Sequence, residues 1–266
     1  MKRIIRIELL KVQSYSTFWI LTSLYFLILL SIFFSGKFFL DFLARKGESL
    51  GDIIDPSGIP IYDFPDVWHN ITYVAGFLKF ILAIYVIISI TNEINYGTIR
   101  QNIMNGLSRW DFLLSKLVLV CFLSIISTLF IIAAGFILGF IYSGNREITD
   151  IITYMEFIPA YLLQITAYLI FALFIGLLIK RTGLSMGLLF LYTLIVEPII
   201  TFRIKTDWIK GLFPLKAINN LIRFPFKKYA LREVQDYIAW DDTLIVSVYI
   251  IIFISLMYLI LKKRDL

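Results

Sequence analysis

The stretch TNEINYGTIRQNIMNGLSRWDFLLSK, residues 91–116, is a polar interruption between two long apolar runs, and its reading decides the fold. Thr98 and Gln101 have the S/T-x-x-E/Q spacing of a capping box, in which each side chain satisfies a backbone N–H left free at a helix start. Ser108 and Asp111 repeat that geometry for the next helix. Gly106 stands where a C′ glycine would end the first one, because the left-handed conformation required there costs a residue with a Cβ about 1–2 kcal/mol. The spacing predicts a helix of two turns over 99–105. Ile99 and Ile103 share one face of it while Arg100, Gln101 and Asn105 point elsewhere, so the piece suits docking with its other side wet.

Composition supplies the surroundings. Of 266 residues, 59% are apolar and 17% charged, and the mean hydropathy is +0.85, far from the balance of a soluble domain. The chain reads as an all-α integral membrane protein. Once the apolar runs are removed, no remaining segment is long enough to bury a separate core, so residues 1–266 form one membrane domain. The single cysteine, Cys121, lies in an apolar run and has no intrachain partner for a disulfide. The single histidine, His69, between Trp68 and Asn70 at the edge of a span, reads as an interfacial residue, with no second His and no Cys pair at metal-ligand spacing.

Six runs approach the roughly 20 residues that cross the hydrocarbon core: 18–34, 71–90, 117–142, 158–179, 184–202 and 244–261. The third is over-long and must tilt or protrude. Residues 1–16 combine Lys2, Arg3, Arg6 and Lys11 with a stripe of Ile5, Leu9 and Val12, as expected of an interfacial amphipathic helix facing anionic headgroups. The run after it is long for a signal peptide and no A-x-A pattern follows, so the first span is expected to stay uncleaved. Gly135 with Gly139, and Gly183 with Gly187, have the G-x-x-x-G spacing that lets helices approach closely, within one subunit or between two. Basic residues divide almost evenly between the two sides, but the cluster before the first span and the tail Lys262, Lys263, Arg264 favour cytoplasmic termini.

On that assignment two segments face outward. Residues 37–70 interleave Asp52, Asp55, Asp63 and Asp66 with Pro56, Pro60 and Pro65, as in a loop that caps the bundle. Residues 203–242 alternate basic residues with Trp208, Leu212, Phe213, Ile218, Leu221, Phe224 and Phe226, broken by Pro214 and Pro225. That pattern predicts short amphipathic helices lying in or re-entering the outer interface. Lys79 and Glu197 are charges inside spans, where each costs about 2.5–3.5 kcal/mol at a helix centre. Either they form an ion pair between facing helices or they sit separately as span ends at the interface. Gln164 and Thr166 either line a path or bond a neighbouring helix.

The stretch also resembles the ABC type-2 exporter permeases, membrane subunits driven by a separate ATP-binding cassette protein. That family carries a glutamate, Gly-Thr, a small residue or proline before Ser-Arg, and a lysine opening the third span. Glu93, Gly97, Thr98, Ser108, Arg109 and Lys116 stand here in that order, with Gly106 near the small residue. The resemblance implies that the 99–105 helix, with Glu93, Gly97, Thr98, Arg100, Gln101, Gly106, Ser108 and Arg109 around it, is a cytoplasmic coupling helix for the ATPase, with the N-terminal helix beside it. It further implies two copies of the cassette subunit, which hold ATP and Mg, and a second permease subunit, the same or similar. The substrate would be a hydrophobic or amphipathic compound, a drug, peptide antibiotic or lipid-like molecule, exported across a prokaryotic plasma membrane. No G-x-x-x-x-G-K-[ST] stretch is present, so the chain is expected to hold no cofactor itself, to be no enzyme and to bind no nucleic acid. The alternatives are a non-transporting membrane scaffold or regulatory protein, and an ion-coupled secondary carrier with paired charges near midplane.

Overall fold

The computed structural model describes residues 8, 10–45, 61–104, 106–144, 147–226 and 237–263. Lys2, Arg3, Arg6, Ile5 and Leu9, the loop residues Asp52, Asp55, Pro56 and Pro60, and Asn105 lie outside that set. Among the described residues every regular element is helical. Six helical stretches are long and apolar enough to cross a membrane: Ser16–Phe39, Val67–Asn95, Arg109–Tyr142, Ile148–Ile179, Thr182–Arg203 and Trp240–Lys263. The protein is a multi-pass membrane protein.

In chain order the elements are α1 (Ser16–Arg45), α2 (Val67–Asn95), α3 (Thr98–Met104), α4 (Arg109–Tyr142), α5 (Ile148–Ile152) and α6 (Phe157–Ile179). After them come α7 (Thr182–Leu191), α8 (Glu197–Arg203), α9 (Asp207–Gly211), α10 (Pro214–Asn220) and α11 (Trp240–Lys263). The helices outrun the apolar windows, because hydropathy measures bilayer thickness whereas a helix continues to its cap. Residues 37–45 and 67–70, expected in a loop, are therefore helical. Helix α4 has 34 residues, roughly 51 Å, and must tilt or protrude. In the fifth span a π turn, Tyr192–Val196, separates α7 from α8. Pro198 explains it, since its missing N–H breaks the i→i−4 ladder.

Helix α6 is the centre. Tyr161, Ile165, Tyr168, Leu169, Ala172 and Leu173 bury it around most of its circumference against α2, α4 and α11. Its hydroxyl Tyr161 Oη lies 2.8 Å from Tyr25 Oη and 2.9 Å from Ser127 Oγ, and these two are 2.6 Å apart, so a buried hydroxyl triad joins α1, α4 and α6. Residues 10–14 form a helical turn ahead of α1 with Val12 buried and Leu10 exposed. At the opposite end Tyr62 donates to the Phe33 carbonyl at 2.6 Å and Trp68 Nε1 to the Ile151 carbonyl at 2.8 Å. Burial pushes the Tyr62 phenol up to about 12.

The two glycine pairs differ. A Cβ on Gly135 would stand 2.4 Å from the Trp68 ring and one on Gly139 2.2 Å from the Phe64 ring, so this pair serves close packing within the chain. A Cβ on Gly183 or Gly187 would meet no described residue outside its own helix backbone and neighbours within 4 Å, so that pair makes no close approach within this chain. Gly139→Val should therefore cost about 1–3 kcal/mol by overpacking. Its melting temperature in detergent, followed by tryptophan fluorescence, should fall by several degrees while that of Gly187→Val stays at the parent value. Equal melting of the two variants would refute this packing.

Candidate functional site

Helix α2 ends where Tyr96 N–H bonds the Asn92 carbonyl at 2.9 Å and Gly97 turns the chain with φ +68°. The short helix then runs Thr98–Met104, one residue earlier than the capping pattern predicted. The expected Thr98–Gln101 box is not formed. Gln101 N–H bonds the Gly97 carbonyl, and Thr98 Oγ1 donates to the Glu93 carbonyl at 3.1 Å. The reason is Gly97: it takes the left-handed turn, so Thr98 enters the helix and its hydroxyl satisfies a carbonyl orphaned at the end of α2. The second box does form, with Ser108 Oγ accepting from Asp111 N–H at 3.0 Å and Asp111 Oδ2 accepting from Ser108 N–H at 3.3 Å. Gly106 has φ +89° and stops α3 as expected. Ile99 is buried against the bundle, whereas Tyr96, Gln101 and Met104 are exposed, Met104 by 85%. The side chains of Arg100 and Ile103 lie outside the described residues. Arg109 Nη1 donates to the Lys262 carbonyl, tying the start of α4 to the end of α11.

Beneath this helix lies a buried ion cluster. Lys116 stands about two turns inside α4 rather than at its start, and is 1% exposed. Its Nζ reaches Glu8 Oε1 at 2.6 Å, Glu93 Oε1 at 2.8 Å and Ser89 Oγ at 3.1 Å, so all three donors of the ammonium are used. Lys11 Nζ donates to the same Glu93 oxygen at 2.8 Å and lies 3.8 Å from Glu8 Oε2. Two carboxylates and two ammonium groups thus balance, and they join the N-terminal segment, α2 and α4. Removing one partner of such a buried group leaves an uncompensated charge and costs about 3–5 kcal/mol. Alongside, Asn92 Nδ2 donates to Tyr15 Oη at 2.9 Å, and Thr91 Oγ1 lies 2.8 Å from Thr182 Oγ1 at the start of the fifth span.

Lys79 and Glu197 are both buried, and they neither pair with each other nor sit at span ends. Both engage the segment around α10. Lys79, roughly 18 Å along α2, donates to Asn219 Oδ1 at 2.5 Å and lies 5.2 Å from the Tyr168 ring centroid. Glu197 accepts from the backbone N–H groups of Leu215, at 3.2 Å, and Lys216. Gln164 Nε2 bonds the Ile218 carbonyl at 3.1 Å, and Thr166 only its own helix, at the Leu162 carbonyl. His69 stands in the first turn of α2, at the span edge, and is buried: its ring stacks on Phe157 at 4.0 Å, and its Nε2 lies 2.8 Å from the Arg223 carbonyl. Among the described residues no group of three His, Cys, Asp or Glu side chains could hold a metal ion.

Glu93 and Lys116 fall within one sequence motif, and Glu8 lies outside it. A signal existed: Glu8 and Val12 are four residues apart on one helical face, the face that is buried. A family model described as Protein of unknown function (DUF2705) matches residues 53–266, which takes in both polar clusters except Glu8 and Lys11. No curated protein matches the chain.

Gly106→Val forces a β-branched residue to φ +89° at about 1–2 kcal/mol. Amide exchange over 98–104 should quicken about tenfold while amides of α6 keep the parent rate. Unchanged exchange over 98–104 would refute the capping role of Gly106.

Proposed function

We propose that this chain, which belongs to the family described as Protein of unknown function (DUF2705), is the permease subunit of an ABC exporter. The observation that carries the reading is α3. A seven-residue helix is anchored by buried Ile99, stopped by Gly106 and backed by the Lys116 ion cluster, yet presents Met104 outward, with exposed Tyr96 at the turn before it. An exposed apolar tip on a rigid base suits insertion into a cleft of a partner. The base suits force transmission, since a push on α3 reaches α2, α4 and the N-terminal segment through charges that cannot be separated cheaply.

In this reading two copies of a cassette ATPase, holding ATP and Mg, dock on α3 of two permease subunits, the same or similar. Closure of the ATPases switches the pair between inward- and outward-facing states as rigid bodies. The membrane is a prokaryotic plasma membrane with both termini cytoplasmic, and the cargo is hydrophobic or amphipathic. The ion-coupled alternative loses its main support, because Lys79 and Glu197 do not form the midplane pair it requires.

Tagged protein purified from its native membrane in mild detergent should bring down a cassette ATPase in about equal amount. Met104→Asp changes an exposed side chain and should leave yield and melting unchanged while reducing that ATPase at least tenfold. Recovery without any ATPase, or an ATPase retained in full by Met104→Asp, would overturn the reading.

A further inference from the structure

The chain after α8 turns back into the bundle, and α10 is the part that is buried, through Leu215, Ala217 and Ile218 against α6 and α11. Three spans hold it by polar side chains. Glu197 of α8 accepts from its first turn, Gln164 of α6 bonds its Ile218 carbonyl, and Lys79 of α2 bonds Asn219 at its end. The atoms bonded to each ion are neutral here, an amide oxygen for Lys79 and backbone N–H groups for Glu197, with the Lys216 charge also acting on Glu197. This is unlike the Lys116 cluster, where charge meets charge.

Neutral partners make the arrangement reversible. A wall of purely apolar side chains behind α10 would stay dry and collapse if the helix left. A wall carrying Lys79, Gln164, Tyr168 and Glu197 would fill with water, and water would replace every bond that α10 supplied. The seated and withdrawn arrangements thus satisfy the same polar groups, as an element with two states requires. Non-helical residues flank the helix on both sides, Leu212 and Phe213 before it and 221–226 after it; Arg223 of the second set is tied to Asp242 and to His69, so the change in direction falls on the first.

We propose that α10 is a movable plug that occludes a polar cavity lined by Lys79, Gln164, Tyr168 and Glu197, with the Lys79–Asn219 bond setting its closed position. The inference stands on these intramembrane contacts and is independent of any ATPase partner.

The test reads water access to α10. Ala217→Cys in a Cys121→Ser background, reconstituted in lipid nanodiscs with both faces open, is treated with a membrane-impermeant maleimide. Position 217 should be protected in this parent. Asn219→Leu leaves Lys79 without an acceptor in the closed state but fully hydrated in the open one, so labelling should rise at least tenfold. Adding Lys79→Met should bring it back within about threefold of the parent, because an apolar side chain needs no acceptor and gains nothing from water. Ala83→Cys, buried in α2, should stay protected throughout. Parent-like labelling in Asn219→Leu would overturn the plug, as would a double variant as fast as Asn219→Leu alone. Loss of protection at position 83 together with 217 would also overturn it, since the whole bundle would then be loosening.

Discussion

Burying an ammonium group at one end of a membrane bundle constrains everything around it. Lys116 has three donors and 1% exposure, so each donor must find an acceptor that the fold supplies. Glu8, Glu93 and Ser89 supply them from two separate parts of the chain. Neither carboxylate can drift from the ammonium without leaving a bare charge in a poorly hydrated site. The N-terminal segment, the end of α2 and the second turn of α4 therefore behave as one piece, and α3 rides on that piece.

The region around α10 is built differently. There the charged side chains of α2 and α8 meet neutral groups of a seven-residue helix, while the segment after it is held by His69 on the Arg223 carbonyl and by the Arg223–Asp242 ion pair. Charge against charge makes a joint that moves only as a whole, whereas charge against amide makes one that water can replace. In the proposed exporter, a stiff base under α3 and exchangeable contacts at α10 would suit a protein pushed from one side and opened on the other.

What was legible in the sequence was local. Six spans follow from hydropathy, the stop at Gly106 from backbone sterics, and the Ser108–Asp111 box from spacing along a helix. Contacts between distant residues were not. Lys79 finds Asn219 140 positions on, and Lys116 finds Glu8 108 positions back, and no periodicity records either. An intramembrane Lys and Glu invite pairing by charge alone, but α10 came between them. Thr98 was misassigned for a subtler reason: the motif allows it to cap, yet Gly97 takes the turn and leaves the threonine hydroxyl to the helix behind it.

Lys116 and Glu93 act as one buried unit on which α3 rests. A double-mutant cycle of Lys116→Met and Glu93→Gln, with stability measured by unfolding in detergent, tests it most directly. The account predicts single losses of about 3–5 kcal/mol for Lys116→Met and a double variant that recovers much of it, an interaction energy above about 2 kcal/mol. Losses that simply add would contradict it, and would leave the two side chains as neighbours without a shared role.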